Sequence, residues 1–278
     1  MTLPRLTPAL ADRINRSEAA YVASDMAMLA GSGDNPLGVG VHGFGRATAL
    51  LMREINDWEF NRVLGLRDQG PSEVDEILTW YALYEPPCHF DIVPQLVSQE
   101  LLQTLADRGF SKSGSHASLF GVPADDLPEP PIGVDVIEVL AGQMEIFADL
   151  YMVYLDDFKY SDELKARVRA NIITGYRQPG WRLYLAAVDG APAAFASLYV
   201  QDRIGSLAMA AAAPSSRGRG GHGALLNRRI ADAAAEGCEL VIAQAIPAST
   251  SHRNMERAGL KVAYTKDIWS LPQAAAQA

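Results

Sequence analysis

The stretch AMAAAAPSSRGRGGHG occupies positions 208–223 and leads into Ala224, Leu225 and Leu226. It predicts a strand, a glycine-rich turn and a helix, because Leu225, Leu226 and Ile230 recur at helical spacing. Glycine at four positions of the turn lets a ligand approach the backbone closely. The helix that follows presents unpaired N–H groups and the positive end of its dipole. The turn therefore predicts a ligand that carries phosphate.

Two arginines in the turn, Arg217 and Arg219, are suited to charge-assisted contacts with that phosphate. Two common phosphate motifs do not fit. A P-loop requires Lys-Ser or Lys-Thr after its glycines, and neither follows here. The first glycine of a dinucleotide fingerprint has no counterpart in phase. The residues predict a pyrophosphate site of another kind.

These residues resemble the GCN5-related N-acetyltransferases (GNAT family), whose Gln/Arg-x-x-Gly-x-Gly/Ala loop holds the pyrophosphate of acetyl-CoA. Arg217 and Gly220 match the first and fourth positions of that loop, and His222 stands where the family has glycine or alanine. A register one residue later aligns Gly221 and Gly223 instead. We prefer the first register, because it keeps the Pro-x-x-Arg-Gly sequence that usually leads into the loop.

Beyond the loop, a strand, a short helix and a Gly-Leu pair predicted over 238–260 follow in the order of that family. The resemblance implies acetyl-CoA, or a related acyl-CoA, as cosubstrate and no metal. It also implies that the strand at Ala210–Ala213 bulges and offers backbone groups to the pantetheine arm and the thioester. The implied cofactor-binding residues are Ala211, Ala212, Ala213, Arg217, Gly218, Arg219, Gly220, Gly221, His222, Gly223, Ala224 and Asn254.

The resemblance also points to a proton donor for the leaving thiolate. Many members have a tyrosine four residues before the closing glycine, where this chain has Met255. The branch that acetylates ribosomal-protein N-termini has a serine eight residues before that glycine, and Ser251 stands there. Ser251 is our candidate acid, with helix capping as an equal alternative, and Tyr264 is the second candidate. No acidic residue lies on Leu207–Ala213, so we expect a water chain or a neutral substrate in place of the usual carboxylate base.

The chain has 278 residues, 49% hydrophobic and 21% charged, which is long enough for two globular domains. A net charge of −9 argues against a nucleic-acid surface or an anionic membrane and favours an amine-bearing partner. Met1–Asn15 has no apolar core of signal-peptide length, and no apolar run is long enough to span a bilayer. The two cysteines, Cys88 and Cys238, belong to no metal-spaced cluster. We expect a cytoplasmic protein, monomeric or homodimeric.

A second glycine-rich motif, Gly38-Val39-Gly40-Val41-His42-Gly43, satisfies G-x-G-x-x-G. A dinucleotide fingerprint follows a buried strand, but residues 31–36 before this motif have the composition of a loop. We therefore predict two strands joined by a glycine-rich turn, at 38–41 and 47–53. A nicotinamide enzyme built on this motif is the rival interpretation.

Several positions of the C-terminal part recur 150 residues earlier in the chain. The pairs are Arg217 with Arg67, Gly220 with Gly70, Ile242 with Ile92 and Gly259 with Gly109. The predicted elements follow the same order in both places, which indicates an internal repeat. In the first copy Asp68, Gln69 and Pro71 replace residues of the turn, and a carboxylate at that place repels phosphate.

The first copy also resembles the degenerate N-terminal half of tandem GNAT acetyltransferases, including their Phe-Asn-Arg-Val strand at 60–63. The proline-rich segment between the copies predicts a stiff linker. We place a degenerate GNAT-like domain at 1–122, the linker at 123–131 and a catalytic GNAT domain at 132–278.

The predicted architecture is α/β (α+β): tandem GNAT folds, each a mixed, mostly antiparallel sheet flanked by helices. The predicted activity is acetyl-CoA-dependent N-acetyl transfer to an amine of a small molecule or peptide, without nucleic acid or membrane as partner. The alternative is a non-catalytic CoA-binding sensor or scaffold, which Met255 and the missing base favour. Four aromatic residues are expected either to line the acceptor pocket or to pack the core: Tyr151, Tyr154, Phe158 and Tyr160.

Overall fold

The computed structural model describes residues 2–31, 35–155, 161–175 and 178–272. Its α-helices are α1 (Pro8–Ala30), α2 (Pro71–Tyr81), α3 (Gln99–Asp107), α4 (Met144–Leu155), α5 (Asp162–Gly175), α6 (Gly221–Ala235) and α7 (Thr250–Arg257). Its strands are β1 (Val39–Phe44), β2 (Ala47–Met52), β3 (Arg62–Leu64), β4 (His89–Ile92), β5 (Ser111–Gly121), β6 (Val134–Glu138), β7 (Trp181–Val188), β8 (Ala191–Gln201), β9 (Ile204–Ser206), β10 (Ala210–Ala212), β11 (Leu240–Ala245) and β12 (Lys261–Ser270). The predicted class, a mixed and mostly antiparallel sheet flanked by helices, is confirmed.

All twelve strands of the described chain belong to one sheet, in the order β1-β2-β3-β4-β12-β5-β11-β9-β8-β7-β6, with β10 paired to β8. The last strand of the N-terminal part, β5, pairs with β11 of the C-terminal part. The last strand of the chain, β12, pairs with both β4 and β5. The two predicted domains therefore exchange their last strands at the centre of one sheet. Their division at 123–131 stays a prediction.

The glycine motif at 38–43 lies on a hairpin. β1 and β2 pair antiparallel, with Val39 opposite Met52 and Phe44 opposite Ala47. The motif therefore continues a strand and does not open a helix, as a dinucleotide fingerprint must. The prediction of two strands joined by a glycine-rich turn is confirmed, except that the first strand continues past 41 to Phe44.

Helix α1 joins the two parts of the core. It begins after Thr7, whose hydroxyl accepts the N–H of Leu10 at 3.2 Å, and it ends at Gly31, where φ is +71°. Ile14 of α1 packs with residues of β5, β11 and β12, whereas Met26 packs with residues of β2, β7 and β8 and of helices α4 and α5. Burial of each side chain contributes about 1.5–3 kcal/mol. The helix thereby holds its polar residues against the centre of the sheet.

Candidate active site

The sheet opens beside the glycine-rich turn. β9 runs parallel to β11 as far as the pair Ser206–Ile242, and the N–H of Leu207 still donates to Ile242 O at 2.8 Å. The chain then leaves β11, and β10 pairs with β8 instead. The chain before the turn therefore forms two short strands, β9 and β10, where the sequence predicts one. The gap between β10 and β11 begins at 207–209, just before the segment where a bulge was expected.

A cavity of about 350 Å³ lies in this gap, and we call it the central cavity. Its lining from the C-terminal part comprises Tyr154, Leu207, Ala208, Met209, Ala210, His222, Arg229, Gln244, Ala245, Ile246, Ser249, Ser251 and Met255. Its lining from the N-terminal part comprises Tyr21, Val22, Asp25, Met26, Glu59, Phe60, Arg62 and His116. Both parts of the chain therefore build one site.

Two positions of the turn have backbone conformations that favour glycine. Gly218 has φ +79° and Gly220 has φ +90°, both in the left-handed region. A Cβ atom at Gly220 would lie 2.9 Å from Pro131 Cγ, whereas at Gly218 and Gly223 it would meet nothing within 4 Å. Gly220 is the N-cap of α6. Open backbone beside a helix N-terminus fits the predicted pyrophosphate.

The two arginines of the turn lie at the surface. Arg217 is exposed, and its Nε donates weakly to Ala212 O at 3.4 Å. Arg219 forms an ion pair with Asp189 while its side chain stays 47% exposed. Both guanidinium groups are therefore accessible to a ligand at the turn, and Arg219 would share its guanidinium between that ligand and Asp189.

A second cavity, of about 360 Å³, lies between α6, α7 and the segment 127–131; we call it the outer cavity. The predicted cofactor-binding residues that line it are Gly220, Gly223, Ala224 and Asn254. His222 lines the central cavity instead, and Gly221 is buried at the first position of α6. The N-terminus of α6 thus lies between the two cavities.

The three predicted alanines lie at the edge of the gap. Ala211 and Ala213 pack against the core under α4, and Ala212 packs against the core under α6. None of the three is fully buried, and Ala210 beside them lines the central cavity. Their small side chains keep the backbone at this edge accessible.

The structure separates the two candidate acids. Ser251 lines the central cavity. The cap of α7 is Ser249, whose hydroxyl accepts the N–H of His252 at 3.1 Å, so capping does not account for Ser251. Tyr264 is 4% exposed in the core under α1 and is not part of the central cavity lining. Burial raises the pKa of Tyr264 well above its usual value. This placement favours Ser251 as the acid.

Arg229, which sequence reasoning missed, is buried beneath the gap. It is 1% exposed and donates to three carbonyl oxygens, those of Leu225 (3.2 Å), Ser197 (3.0 Å) and Ala208 (3.3 Å). Burial lowers its pKa to about 10, so it stays charged at neutral pH. The contact with Ala208 holds the chain where it leaves β11. An arginine on the apolar face of the predicted helix was the signal for this role.

Four buried charges lie beside the central cavity. Lys266 forms ion pairs with Glu18 and, at 2.9 Å, with Asp91, and Arg62 Nη1 lies 3.1 Å from Asp91 Oδ2. Burial alone raises the pKa of Asp91, but Lys266 and Arg62 outweigh it, so the net pKa lies below the usual range. Two cations balance two carboxylates in this network, which joins α1, β3, β4 and β12.

In the N-terminal part, the segment at 67–73 corresponds to the turn in the predicted repeat. Its polar groups form hydrogen bonds with neighbouring residues of the chain. The N–H of Gly70, before α2, donates to Glu73 Oε2 at 3.0 Å. Arg67 Nη1 donates to Asp12 Oδ1 at 2.5 Å, and the N–H of Arg67 donates to Gln69 Oε1 at 2.8 Å. These contacts support the expectation that only the C-terminal turn binds phosphate.

The four aromatic residues expected at an acceptor pocket have different positions. Tyr154 lines the central cavity, and Tyr151 is fully buried in the core. Phe158 and Tyr160 lie outside the described residues. Within the described ranges no group of three or more His, Cys, Asp or Glu is placed to hold a metal ion. In the same ranges no helix is both long and apolar enough to cross a membrane.

Residues 145–259 match the model of the Acetyltransferase (GNAT) family. The match confirms, for this part of the chain, the resemblance inferred from the turn. The matched range includes α6 and α7 and both sides of the gap. It does not include residues 1–122, whose interpretation as a degenerate copy stays a prediction. A search of curated protein sequences finds no match.

Solved structures share the fold over 80–96% of this chain. A GCN5-related N-acetyltransferase from Kribbella flavida is 19% identical, with a TM-score of 0.62, covering 93% of this chain and 96% of its own. One from Sphaerobacter thermophilus is 17% identical, with a TM-score of 0.56 and 96% of both chains covered. A tandem GNAT protein from the clavulanic acid biosynthesis pathway is 16% identical, with a TM-score of 0.56, covering 80% of this chain and 77% of its own. At these identities the likeness is one of fold.

Proposed function

We propose that this chain, whose residues 145–259 match the GNAT family model, is an acetyl-CoA-dependent N-acetyltransferase that acylates an amine of a small molecule or a peptide. The observation that carries the proposal is the position of the glycine turn. The turn leads into α6, whose residue His222 lines the central cavity, while Gly220 and Gly223 of the turn line the outer cavity. A ligand anchored by phosphates at the turn therefore has its reactive end within reach of the central cavity.

The residues around the cavity supply most of what acyl transfer needs. Acyl transfer requires a positioned thioester, an uncharged nucleophile, stabilisation of negative charge and a proton for the leaving thiolate. The N-terminus of α6 and Arg217 bind phosphate, backbone groups at 208–210 orient the acyl arm, and Ser251 donates the proton. Arg229 holds the Ala208 carbonyl and so fixes the edge of the gap. We retain a cytoplasmic location and a monomeric or homodimeric state as part of the proposal.

Two measurements on the purified full chain test this function. Isothermal titration with acetyl-CoA is expected to show one site per chain, and thiol release is expected when amines are added. Arg16→Ala is a suitable control for changes in the turn, because Arg16 is a 63% exposed arginine, paired with Asp12, that lines neither cavity. Binding without release of thiol from any amine would instead identify a CoA sensor. No binding would overturn the proposal.

A further inference from the structure

The N-terminal part contributes a polar wall to the central cavity. Tyr21 and Asp25 come from one face of α1, and Glu59 comes from the segment between β2 and β3. Tyr21 OH donates to Gln244 Oε1 at 2.5 Å, which ties this wall to the end of β11. Both carboxylates therefore face the same cavity as Ser251 and the edge of the gap.

The backbone that carries Glu59 is held firmly. Asn61 is fully buried, and its Oδ1 accepts the N–H of Met52 at 2.8 Å. Its Nδ2 donates to the carbonyl oxygens of Ile55 (2.5 Å) and Asp57 (3.0 Å). The N–H of Glu59 donates to Asp57 Oδ1 at 2.8 Å. The side chain of one asparagine thus fixes the loop at both ends and sets the position of Glu59.

The side chain of Glu59 has a partner in the C-terminal part. Tyr154 OH of α4 donates to Glu59 Oε2 at 3.4 Å, a long contact that leaves the carboxylate able to accept a further proton donor. Glu59 is only partly buried, so its carboxylate is reachable from the cavity. The two parts of the chain therefore meet at this carboxylate.

At least three buried polar atoms that have no partner in the described part of the chain belong to residues that line the same cavity. His116 and Arg62 are 8% and 6% exposed, and both line the cavity. Among the described residues, His116 Nδ1, Arg62 Nε and Gln244 Nε2 have no hydrogen-bond partner. Buried polar atoms are rarely left without partners, because each unpaired group costs about 1–3 kcal/mol. These groups make this side of the cavity polar.

Burial shifts the pKa values of the candidate bases around the cavity in opposite directions. The pKa of Glu59 is raised, mainly because the side chain is buried. Asp57 and Asp91 raise this pKa further, whereas Arg62 and the hydrogen bond from Tyr154 lower it by less. Burial lowers the pKa of His116 to about 3 and that of His222 to about 4. A base works best when its pKa approaches the working pH. Burial thus moves the pKa of Glu59 toward neutrality and moves the pKa values of both histidines away from it. Asp25 and Tyr21 of α1 face the same cavity.

We propose that the N-terminal part completes the active site: Glu59 is the general base, and Asp25 binds the acceptor as a protonated amine. The inference rests on the proposed function. Glu59 takes one proton from the ammonium, the nitrogen attacks the thioester carbonyl carbon, and a C–N bond forms as the C–S bond breaks. The second nitrogen proton reaches the thiolate through Ser251. The products are an amide, the CoA thiol and one proton that Glu59 releases to solvent.

The test compares Glu59→Gln with Glu54→Gln. Glu54 is exposed in the same loop and does not line the central cavity. Each variant is assayed with an alkyl amine that the wild type acetylates and with O-benzylhydroxylamine, which is neutral at pH 7. We expect Glu59→Gln to lower kcat/KM for the alkyl amine by about 100-fold or more, since general bases contribute that much. The loss should be much smaller for the neutral amine, and the Kd of acetyl-CoA should not change.

Each other result contradicts the inference. Equal losses with both amines would make Glu59 a structural residue, and wild-type rates in Glu59→Gln would remove it from the chemistry; either result leaves the proposed function intact. Asp25→Asn is expected to raise KM for the alkyl amine with little change in kcat, and an unchanged KM would remove Asp25 from the acceptor site. A wild-type protein that binds acetyl-CoA but acetylates no amine would overturn the proposed function and this inference together.

Discussion

Lys266 Nζ lies 2.9 Å from Asp91 Oδ2, and both side chains are buried although they are 175 residues apart in the chain. Lys266 stands on β12 and Asp91 on β4, two strands that are neighbours only because β12 inserts between β4 and β5. Glu18 of α1 binds the same ammonium. The network therefore joins the end of the chain to its N-terminal part beside the central cavity.

Lys266→Ala is expected to lower the free energy of unfolding by about 3–5 kcal/mol, because it leaves Glu18 and Asp91 buried with only Arg62 as a cation. Denaturant-induced unfolding measures the change. Lys261→Ala is the control, since Lys261 is exposed on the same strand and its loss is expected to cost less than about 0.5 kcal/mol. Equal midpoints for the two variants would contradict a stabilising role for the network.

Ser251→Ala is expected to lower kcat while leaving the Kd of acetyl-CoA and the melting temperature unchanged, because a proton donor to the thiolate acts in the transition state. Ser249→Ala is the matched control. It removes the cap of α7 and is expected to cost about 1 kcal/mol of stability, with a much smaller loss of kcat than Ser251→Ala although Ser249 also lines the cavity. Steady-state kinetics and thermal melts of both variants separate the roles. Normal turnover by Ser251→Ala would remove Ser251 as the acid.

Arg219→Ala is expected to weaken acetyl-CoA binding and to leave kcat nearly unchanged. The lost charge-assisted hydrogen bond contributes about 1–3 kcal/mol to ground and transition states alike, which is about 5- to 150-fold in Kd. Arg219 must share its guanidinium with Asp189, so the lower end is expected. Calorimetry measures Kd, with Arg16→Ala as the control. An unchanged Kd would place the pyrophosphate away from Arg219.

The stability of the protein is expected to fall between pH 6.5 and pH 4.5 partly because of His222. Burial, and then Arg229, lowers its pKa in the folded state to about 4, whereas the unfolded chain has the ordinary value near 6.5. The unfolded state therefore binds the proton first as pH falls, and stability decreases by about 1.4 kcal/mol per pH unit within this window. His222→Gln should reduce the slope, measured by urea unfolding at several pH values. His42→Gln, at an exposed position of β1, should not, and equal slopes would contradict the assignment.

Residues 132–278 expressed alone are expected not to form a stable domain. In the intact chain β12 pairs with β4 and β5, and β11 pairs with β5, so the isolated segment would expose both edges of β12 and one edge of β11. Co-expression with residues 1–131 is expected to restore acetyl-CoA binding. Circular dichroism and thermal unfolding measure folding of the segment, and a cooperative transition of residues 132–278 alone would show that strand exchange is not required.

Much of the fold follows from local sequence patterns. The helix at 221–235 and the glycines before it could be recognised because the spacing of Leu225, Leu226 and Ile230 and the need for positive φ are local properties. The hairpin at 39–52 could be predicted because residues 31–36 have the composition of a loop, which excluded a dinucleotide fingerprint at the glycine motif. These features depend on residues within one or two turns of each other, so the sequence is sufficient to predict them.

The cavity itself could not be predicted in the same way. The gap opens because β9 follows β11 only to Ser206, and no residue type at 203–213 marks that point. Either Ser249 or Ser251 could cap α7, because serine favours that position. The structure shows that α7 begins at Thr250, which makes Ser249 the cap. In each case the deciding contact involves an element that the local sequence does not contain.

The sequence by itself determined the glycine-rich turn, the order of strand and helix around it and the GNAT resemblance, since those depend on glycine conformation and side-chain periodicity. Only the tertiary structure decided that Asp25 and Glu59 face the same cavity as Ser251. The segment 207–213 has no carboxylate, and the carboxylates of Asp25 and Glu59 come from more than 140 residues away in the chain. They reach the cavity because β5 and β12 are exchanged at the centre of the sheet and α1 packs across it. Contacts made by strand exchange leave no periodic pattern in the chain, so no local pattern predicts them.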